Sequence, residues 1–288
     1  MSTTRIAAHR GAAGGNIHCN TWVAFEAALA QGADIIELDV SRSADGELFV
    51  FHPGMEPAHL GIDTPLSRME ARGIRNLRYL NEDNTPTQLG ISTLDEVFEQ
   101  LKGRCQINLD KFPTCMADIA RAVRRHGMTQ QVLVKTEARE ELFRQVEELA
   151  PDLPYMVFAR REDTVSEMLR KRFPNYRGTE AIFPDETCGV AQPEYTERMH
   201  RLGLQVWGGL WQHSALQGTW PLCILLQVGN ERDTGAKGRE KGFKMEGWSN
   251  GGGKMLRDKQ LRTKASVHTQ DKRCPRLTPG GGGWYCWL

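Results

Sequence analysis

The chain has 288 residues, a formal net charge of +1, 40% hydrophobic residues and 25% charged residues. These values exclude wholesale disorder, a collagen-like repeat and a disulfide-dense miniature, and so small a net charge gives no global field toward nucleic acid or an anionic membrane. The length suits two small domains or one barrel of roughly 250 residues.

In chain order, Arg5–Ala8 reads as a strand that runs directly into His9-Arg10-Gly11. Residues 21–31 (TWVAFEAALAQ) form an Ala-rich helix that Asn20 or Thr21 is placed to cap. Residues 34–40 (DIIELDV) and 47–51 (ELFVF) read as strands, and Asp45-Gly46 between them predicts a hairpin. Residues 53–92, rich in Pro, Gly and Asn, read as an irregular inserted loop.

A helix is expected over 93–101, with Ser92 or Thr93 near its start and Glu96 in its first turn. Strands are then expected at 105–109, 131–135, 155–159, 181–183 and 204–207, alternating with helices at 116–126, 139–149, 163–171 and 194–201. Such alternation predicts parallel strands joined by helical crossovers, and periodicity alone leaves a barrel and an open doubly wound sheet equally possible. Beyond Trp211 the pattern stops. Residues 1–229 carry 24 basic and 30 acidic side chains, whereas residues 230–288 carry 13 and 6, with 11 of the 29 glycines. The chain is therefore divided into a domain over 1–211 and an atypical basic, Gly-rich tail over 212–288. Residues 222–228 (LCILLQV) are the candidate for one further strand, and a disordered extension is the alternative.

The seven cysteines are scattered without a C-x-x-C pair, which points to a reducing compartment rather than a disulfide framework or zinc site. No apolar stretch has the length of a signal peptide or membrane span, so a soluble cytoplasmic protein is expected.

Polar groups interrupt the apolar strand pattern at a few places. His9 and Arg10 end the first strand, and Glu37 and Asp39 lie two apart in the second and so face one side. His52 follows ELFVF, Asp110-Lys111 ends the strand CQINL, and Lys135 ends another. In parallel β/α architectures these C-terminal strand ends form the ligand face. Two carboxylates on one face repel unless a cation lies between them, and an all-oxygen set with Asp110 as third ligand suits Mg²⁺ or Ca²⁺. Arg10 and Lys111 are suited to phosphate, and His9 and His52 to a general acid–base pair. Trp207 is read as a core plug, and His18, His59, His126, His200 and His213 as surface or packing residues.

The run His9-Arg10-Gly11, Glu37-x-Asp39 and His52, with the phrase NTWVAFEAALAQGADIIELDVSRSADGELFVFH and the later INLDK, resembles glycerophosphodiester phosphodiesterases over roughly residues 5–210. That resemblance implies an α/β, (β/α)₈ TIM barrel, and because the last strand and helix are not recognisable in this chain the barrel is expected to be incomplete or irregular at its C-terminal end. It also implies one divalent cation, Mg²⁺ or Ca²⁺, and hydrolysis to an alcohol and sn-glycerol 3-phosphate. It makes His9 and His52 catalytic, Glu37, Asp39 and Asp110 metal ligands, and Arg10 and Lys111 phosphate-binding. The implied partner is a small-molecule or lysolipid phosphodiester, with no specific nucleic acid. The alternatives are a lysophospholipase D or sphingomyelinase D-like activity, or an inactive relative with an interrupted barrel. The chain departs from the family in three places. His18-Cys19-Asn20-Thr21 replaces the frequent Pro-Glu-Asn-Thr, Pro53 follows His52 where an Asp is usual, and one residue usually separates the acid of Asp110 from the Lys.

Overall fold

The computed structural model of the chain describes residues 4–182, 187–209 and 224–228. Seven strands run parallel in one sheet: β1 Thr4–His9, β2 Ile35–Arg42, β4 Gln106–Asp110, β5 Val132–Glu137, β6 Tyr155–Ala159, β7 Tyr176–Ala181 and β8 Gln205–Gly209, and the short β3 Leu48–Val50 pairs antiparallel with the end of β2 as the expected hairpin. The helices are α1 Trp22–Ala30, α2 Glu56–Leu60, α3 Ala71–Arg75, α4 Leu94–Leu101, α5 Met116–Arg125, α6 Glu140–Leu149, α7 Ser166–Arg172 and α8 Pro193–Arg201.

The sheet order β2-β4-β5-β6-β7-β8 is joined to β1 on the free side of β2 (Ala7 opposite Ile35, His9 opposite Glu37). A last strand, β9 Ile224–Val228, lies antiparallel between β8 and β1, with Val228 opposite both Thr4 and Val206. The ring is therefore an eight-stranded α/β barrel whose seven regular strands are parallel and whose last is reversed. A reversed strand can follow β8 through a loop, whereas a parallel one would need a long crossover. This is the irregular C-terminal end that the sequence predicts. Apart from β9, the proposed tail 212–288 and its glycine runs lie outside the described residues.

Alternation along the strands sorts side chains into two layers. Ile36, Leu38, Ile107, Leu109, Val134 and Val157 point outward and pack with Phe25, Phe98, Ile119 and Phe143 of the helices in the main core. Ala7, Ile35, Leu133, Met156 and Trp207 point inward and fill the barrel floor. Trp207 is fully buried there, as the plug expected of it. The next inward-facing residue, two further along each of three strands (His9, Glu37 and Lys135), therefore stands above an apolar floor.

Local sequence rules explain the crossovers. Thr93 Oγ1 accepts from the Glu96 amide at 3.2 Å, and Glu96 Oε2 accepts from the Thr93 amide at 2.8 Å. This capping box starts α4 and is worth about 1 kcal/mol. Thr21 Oγ1 caps α1 by accepting from Ala24 N at 3.3 Å. Gly11 has φ +80°, and a Cβ there would lie 2.7 Å from the Ala24 carbonyl carbon, so only glycine lets the loop after β1 rest on α1.

Two expectations are corrected. Residues 53–92 are not simply irregular: α2 and α3 fold onto Phe49 and Phe51 with Leu60, Leu66, Ile74, Tyr79 and Ile91 as a second small core. The strand expected at 181–183 instead spans Tyr176–Ala181, and Phe183 lies outside the described residues. Arg177, Thr179 and Glu180 hid it by breaking the apolar run, and Thr179 and Glu180 are nonetheless buried.

Because β9 pairs with both β8 and β1, a chain ending at residue 211 is expected to melt at least ~5 °C below one ending at 236. The shorter chain leaves two strand edges unpaired. Equal melting temperatures by circular dichroism would show that β9 contributes nothing to closure.

Candidate active site

The C-terminal ends of β1, β2 and β4 bring together the residues singled out by sequence. Glu37 and Asp39 are 1% and 0% exposed, and Asp39 is in register with Asp110 on the neighbouring strand. Carboxylate oxygens of Glu37, Asp39 and Asp110 all lie within 4.8 Å of one another. His9 Nε2 lies 3.9 Å from Glu37 Oε2, and His52 Nε2 lies 4.0 Å from Asp39 Oδ1. Arg10 Nε is 2.8 Å from Asp39 Oδ2, and Lys111 Nζ is 3.2 Å from Asp110 Oδ2 and 3.8 Å from Asp39 Oδ1. All seven residues therefore meet at one mouth of the barrel.

The backbone is strained to achieve this. Arg10 (φ 58°), Asn20 (φ 57°) and Lys111 (φ 61°) are three of the four non-glycine residues with positive φ among the described residues, and all three touch the carboxylates. Such conformations are uncommon away from glycine and cluster where function demands them. At Lys111 the left-handed turn curls the ammonium back over the residue before it. This overcomes the missing spacer between acid and lysine, since adjacent residues in an extended strand point to opposite faces.

Electrostatics explains the ionisation of each group. Burial, then the charges of Asp39 and Asp110, pushes the Glu37 carboxyl well above its ordinary range. Burial would also raise Asp110, but Lys135 and Lys111 outweigh it and hold that carboxyl well below the usual value. His9 is driven far down, to about 2, by burial and then by Arg10 and Lys135, and His52 is lowered by burial against the opposing pull of Asp39. Both imidazoles are thus neutral at pH 7 in the cation-free protein. Arg10 is raised, with Asp39 and Glu37 outweighing its burial.

Two residues outside the sequence-derived set, Asn20 and Glu180, also belong to the site, and Lys135, which the sequence placed at a strand end, pairs with the second. Asn20 Nδ2 donates to Asp39 Oδ2 at 2.8 Å, while its Oδ1 accepts from the Asp39 amide at 3.1 Å, so one side chain orients the central carboxylate twice. The signal was present in Asn20-Thr21, the surviving half of the family's Pro-Glu-Asn-Thr. Lys135 is 2% exposed and donates to Glu180 Oε2 at 2.5 Å. Burial disfavours the Lys135 charge, but Glu180, Asp110 and Glu37 together raise its pKa.

His18 and His59 are packing residues as expected. The His18 ring stacks on Tyr79 at 4.8 Å, and His59 stands edge-on to both at 5.8 and 6.1 Å. Burial, then His18, Arg10 and His52, lowers His59 to about 4. His126 is an ion-pairing residue 2.9 Å from Asp95, and His213 lies outside the described residues.

The carboxylate set fits a hard divalent cation. Its donors are all oxygen, and Asp39 Oδ1 is buried with no hydrogen-bond partner. A buried carboxylate oxygen left unbonded is costly, and a cation between three such groups removes both the repulsion and the orphan.

The chain is similar to known proteins in sequence and in fold. The model of the glycerophosphoryl diester phosphodiesterase family matches residues 9–207, more than half of the chain. A glycerophosphodiester phosphodiesterase of Bacillus altitudinis is 57% identical over 49 residues, which are 17% of this chain and 20% of that protein. The chain thus matches about a fifth of the length of that curated relative. The crystal structure of a glycerophosphodiester phosphodiesterase from Agrobacterium tumefaciens is 27% identical with a TM-score of 0.57, covering 72% of this chain and 86% of the other. A structure from Silicibacter pomeroyi, 20% identical with a TM-score of 0.56 over 72% of this chain and 82% of its own, shares the fold. With the family match running from His9, the first residue of the carboxylate-lined mouth, to Trp207, the plug of its floor, the chain belongs to the glycerophosphoryl diester phosphodiesterase family.

Proposed function

We propose that this chain hydrolyses glycerophosphodiesters to an alcohol and sn-glycerol 3-phosphate, with a divalent cation, Mg²⁺ or Ca²⁺, held by Glu37, Asp39 and Asp110. The observation that carries the reading is the meeting of two neutral imidazoles, the Arg10 and Lys111 side chains and three clustered carboxylates at one barrel mouth. When bound, the cation supplies electrostatic stabilisation of charge on the phosphoryl oxygens.

The chain's own groups divide the remaining work. Arg10 and Lys111, 14% and 20% exposed in their side chains, clamp the phosphate. His9, the more strongly depressed imidazole, takes the proton of the glycerol 2-hydroxyl as its oxygen bonds to phosphorus. The bond from phosphorus to the leaving alcohol breaks, and His52, whose protonated form Asp39 favours, gives that alcohol its proton. Water then opens the cyclic phosphodiester with the two roles reversed, giving glycerol 3-phosphate. Lys135, fixed by Glu180, keeps His9 neutral and Asp110 ionised.

A reducing compartment, and hence the cytoplasm, is proposed as the site of action, because the seven cysteines are scattered without a C-x-x-C pair and Cys19, Cys105 and Cys115 are free thiols. Among the described residues no helix is long and apolar enough to cross a membrane.

The test is a metal-reconstituted screen of the full chain against glycerophosphocholine, glycerophosphoethanolamine and lysophospholipids. Release of glycerol 3-phosphate, abolished by EDTA and restored by Mg²⁺ or Ca²⁺, is the expected result. Turnover of lysophospholipids alone would replace this reading by a lysophospholipase D-like one. Full activity in chelator would remove the cation.

A further inference from the structure

Strands β2 and β4 are adjacent, parallel and in register, with Glu37 opposite Asn108 and Asp39 opposite Asp110. Strand alternation turns these four side chains to the barrel interior, since Leu38, Ile107 and Leu109 between and beside them pack in the outer core. The four positions form a rectangle. Three of its corners are the clustered carboxylates.

The fourth corner is Asn108. It has no exposed surface, and neither its Nδ2 nor its Oδ1 has a hydrogen-bond partner. A fully buried amide left unbonded at both ends is costly and rare in native proteins. Packing alone would be served better by an apolar residue, as at Leu133, its register partner on β5, and at Ile35. Asn20 shows the contrast: it is equally buried, yet both of its amide atoms bond to Asp39.

We infer that Asn108 is a fourth member of the cation site, presenting its neutral amide oxygen to the divalent ion that Glu37, Asp39 and Asp110 hold. This rests on the cation reading above. Hard cations accept amide carbonyl oxygens alongside carboxylates. A neutral donor also suits this corner electrostatically, because a fourth carboxylate would add to the repulsion among the other three.

The test uses metal-stripped full-length protein, titrated with Mg²⁺ and with Ca²⁺ by calorimetry and melted with and without cation. Asn108→Leu is expected to melt at or above the native temperature without cation, because it buries no unbonded amide. It is expected to bind cation at least ~10-fold more weakly and to lose most of the cation-induced rise in Tm. Asn108→Asp, which keeps an oxygen in place, is expected to bind as tightly as the native chain or more so. Native-like cation affinity in Asn108→Leu overturns the inference, as does an Asn108→Asp affinity ~10-fold below native. If Asn108→Leu does not fold, Asn108→Ser decides in the same way, since its short hydroxyl does not reach as far. A native chain that binds neither ion removes the cation reading itself, whereas native binding unchanged by these variants removes Asn108 alone.

Discussion

His9→Ala is expected to lower glycerol 3-phosphate release by ~10²- to 10⁴-fold, the usual contribution of a positioned general base. Its melting temperature should stay within a few degrees of native. The two expectations follow from different properties of one side chain. The ring is 13% exposed, lies 3.9 Å from a Glu37 oxygen and has burial and two cations acting to keep it neutral, as a proton acceptor must be. Its removal takes little apolar packing from the outer core, which lies on the other side of β1. Steady-state release from glycerophosphocholine and a thermal melt on the same preparation check both. Activity above a tenth of native would remove His9 from proton transfer, and a large fall in Tm would make the residue structural.

Asp39→Ala is expected to abolish both turnover and cation binding and, unlike His9→Ala, to destabilise the fold by about 3 kcal/mol. Asp39 is the hub of the mouth. Arg10 Nε lies 2.8 Å from it, Asn20 donates to it at 2.8 Å, and Lys111 and His52 stand 3.8 and 4.0 Å away. Truncation leaves the Arg10 guanidinium partly buried opposite no carboxylate on β2 except Glu37, whose own carboxyl favours the proton. Breaking one partner out of a buried charge pair costs more than the pair contributed, because the other charge stays desolvated. Denaturant unfolding and calorimetric cation titration give the two readouts. A variant as stable as the native chain would mean that Arg10 finds water or another partner, and retained cation binding would move the site away from β2.

Much of this site was legible because its information is local. In a strand, residues two apart share a face, so Glu37 and Asp39 had to point together, and apolar neighbours on both sides marked that strand as buried. His9-Arg10 and Asp110-Lys111 could be placed at strand ends by the same pattern. Strand β7 shows the opposite case. Glu180 made the segment look exposed, and only Lys135, 45 residues earlier in the chain, makes it a buried strand residue. Asn20 is another: its bonds reach Asp39 across 19 residues, and no period in either segment announces them. The left-handed turn at Lys111 was equally hidden, since it begins where the strand ends.

The amino-acid order alone determined which segments alternate, which side chains share a strand face and which chemistry those side chains can perform. Tertiary structure decided the rest: the pairing of Lys135 with Glu180, the double clasp of Asn20 on Asp39, the second core under residues 53–92 and the reversed direction of β9. The physical reason is range. Periodicity acts over a few residues of one strand or helix, whereas a buried charge or an open strand edge is satisfied only by a partner that the folded ring brings from elsewhere in the chain.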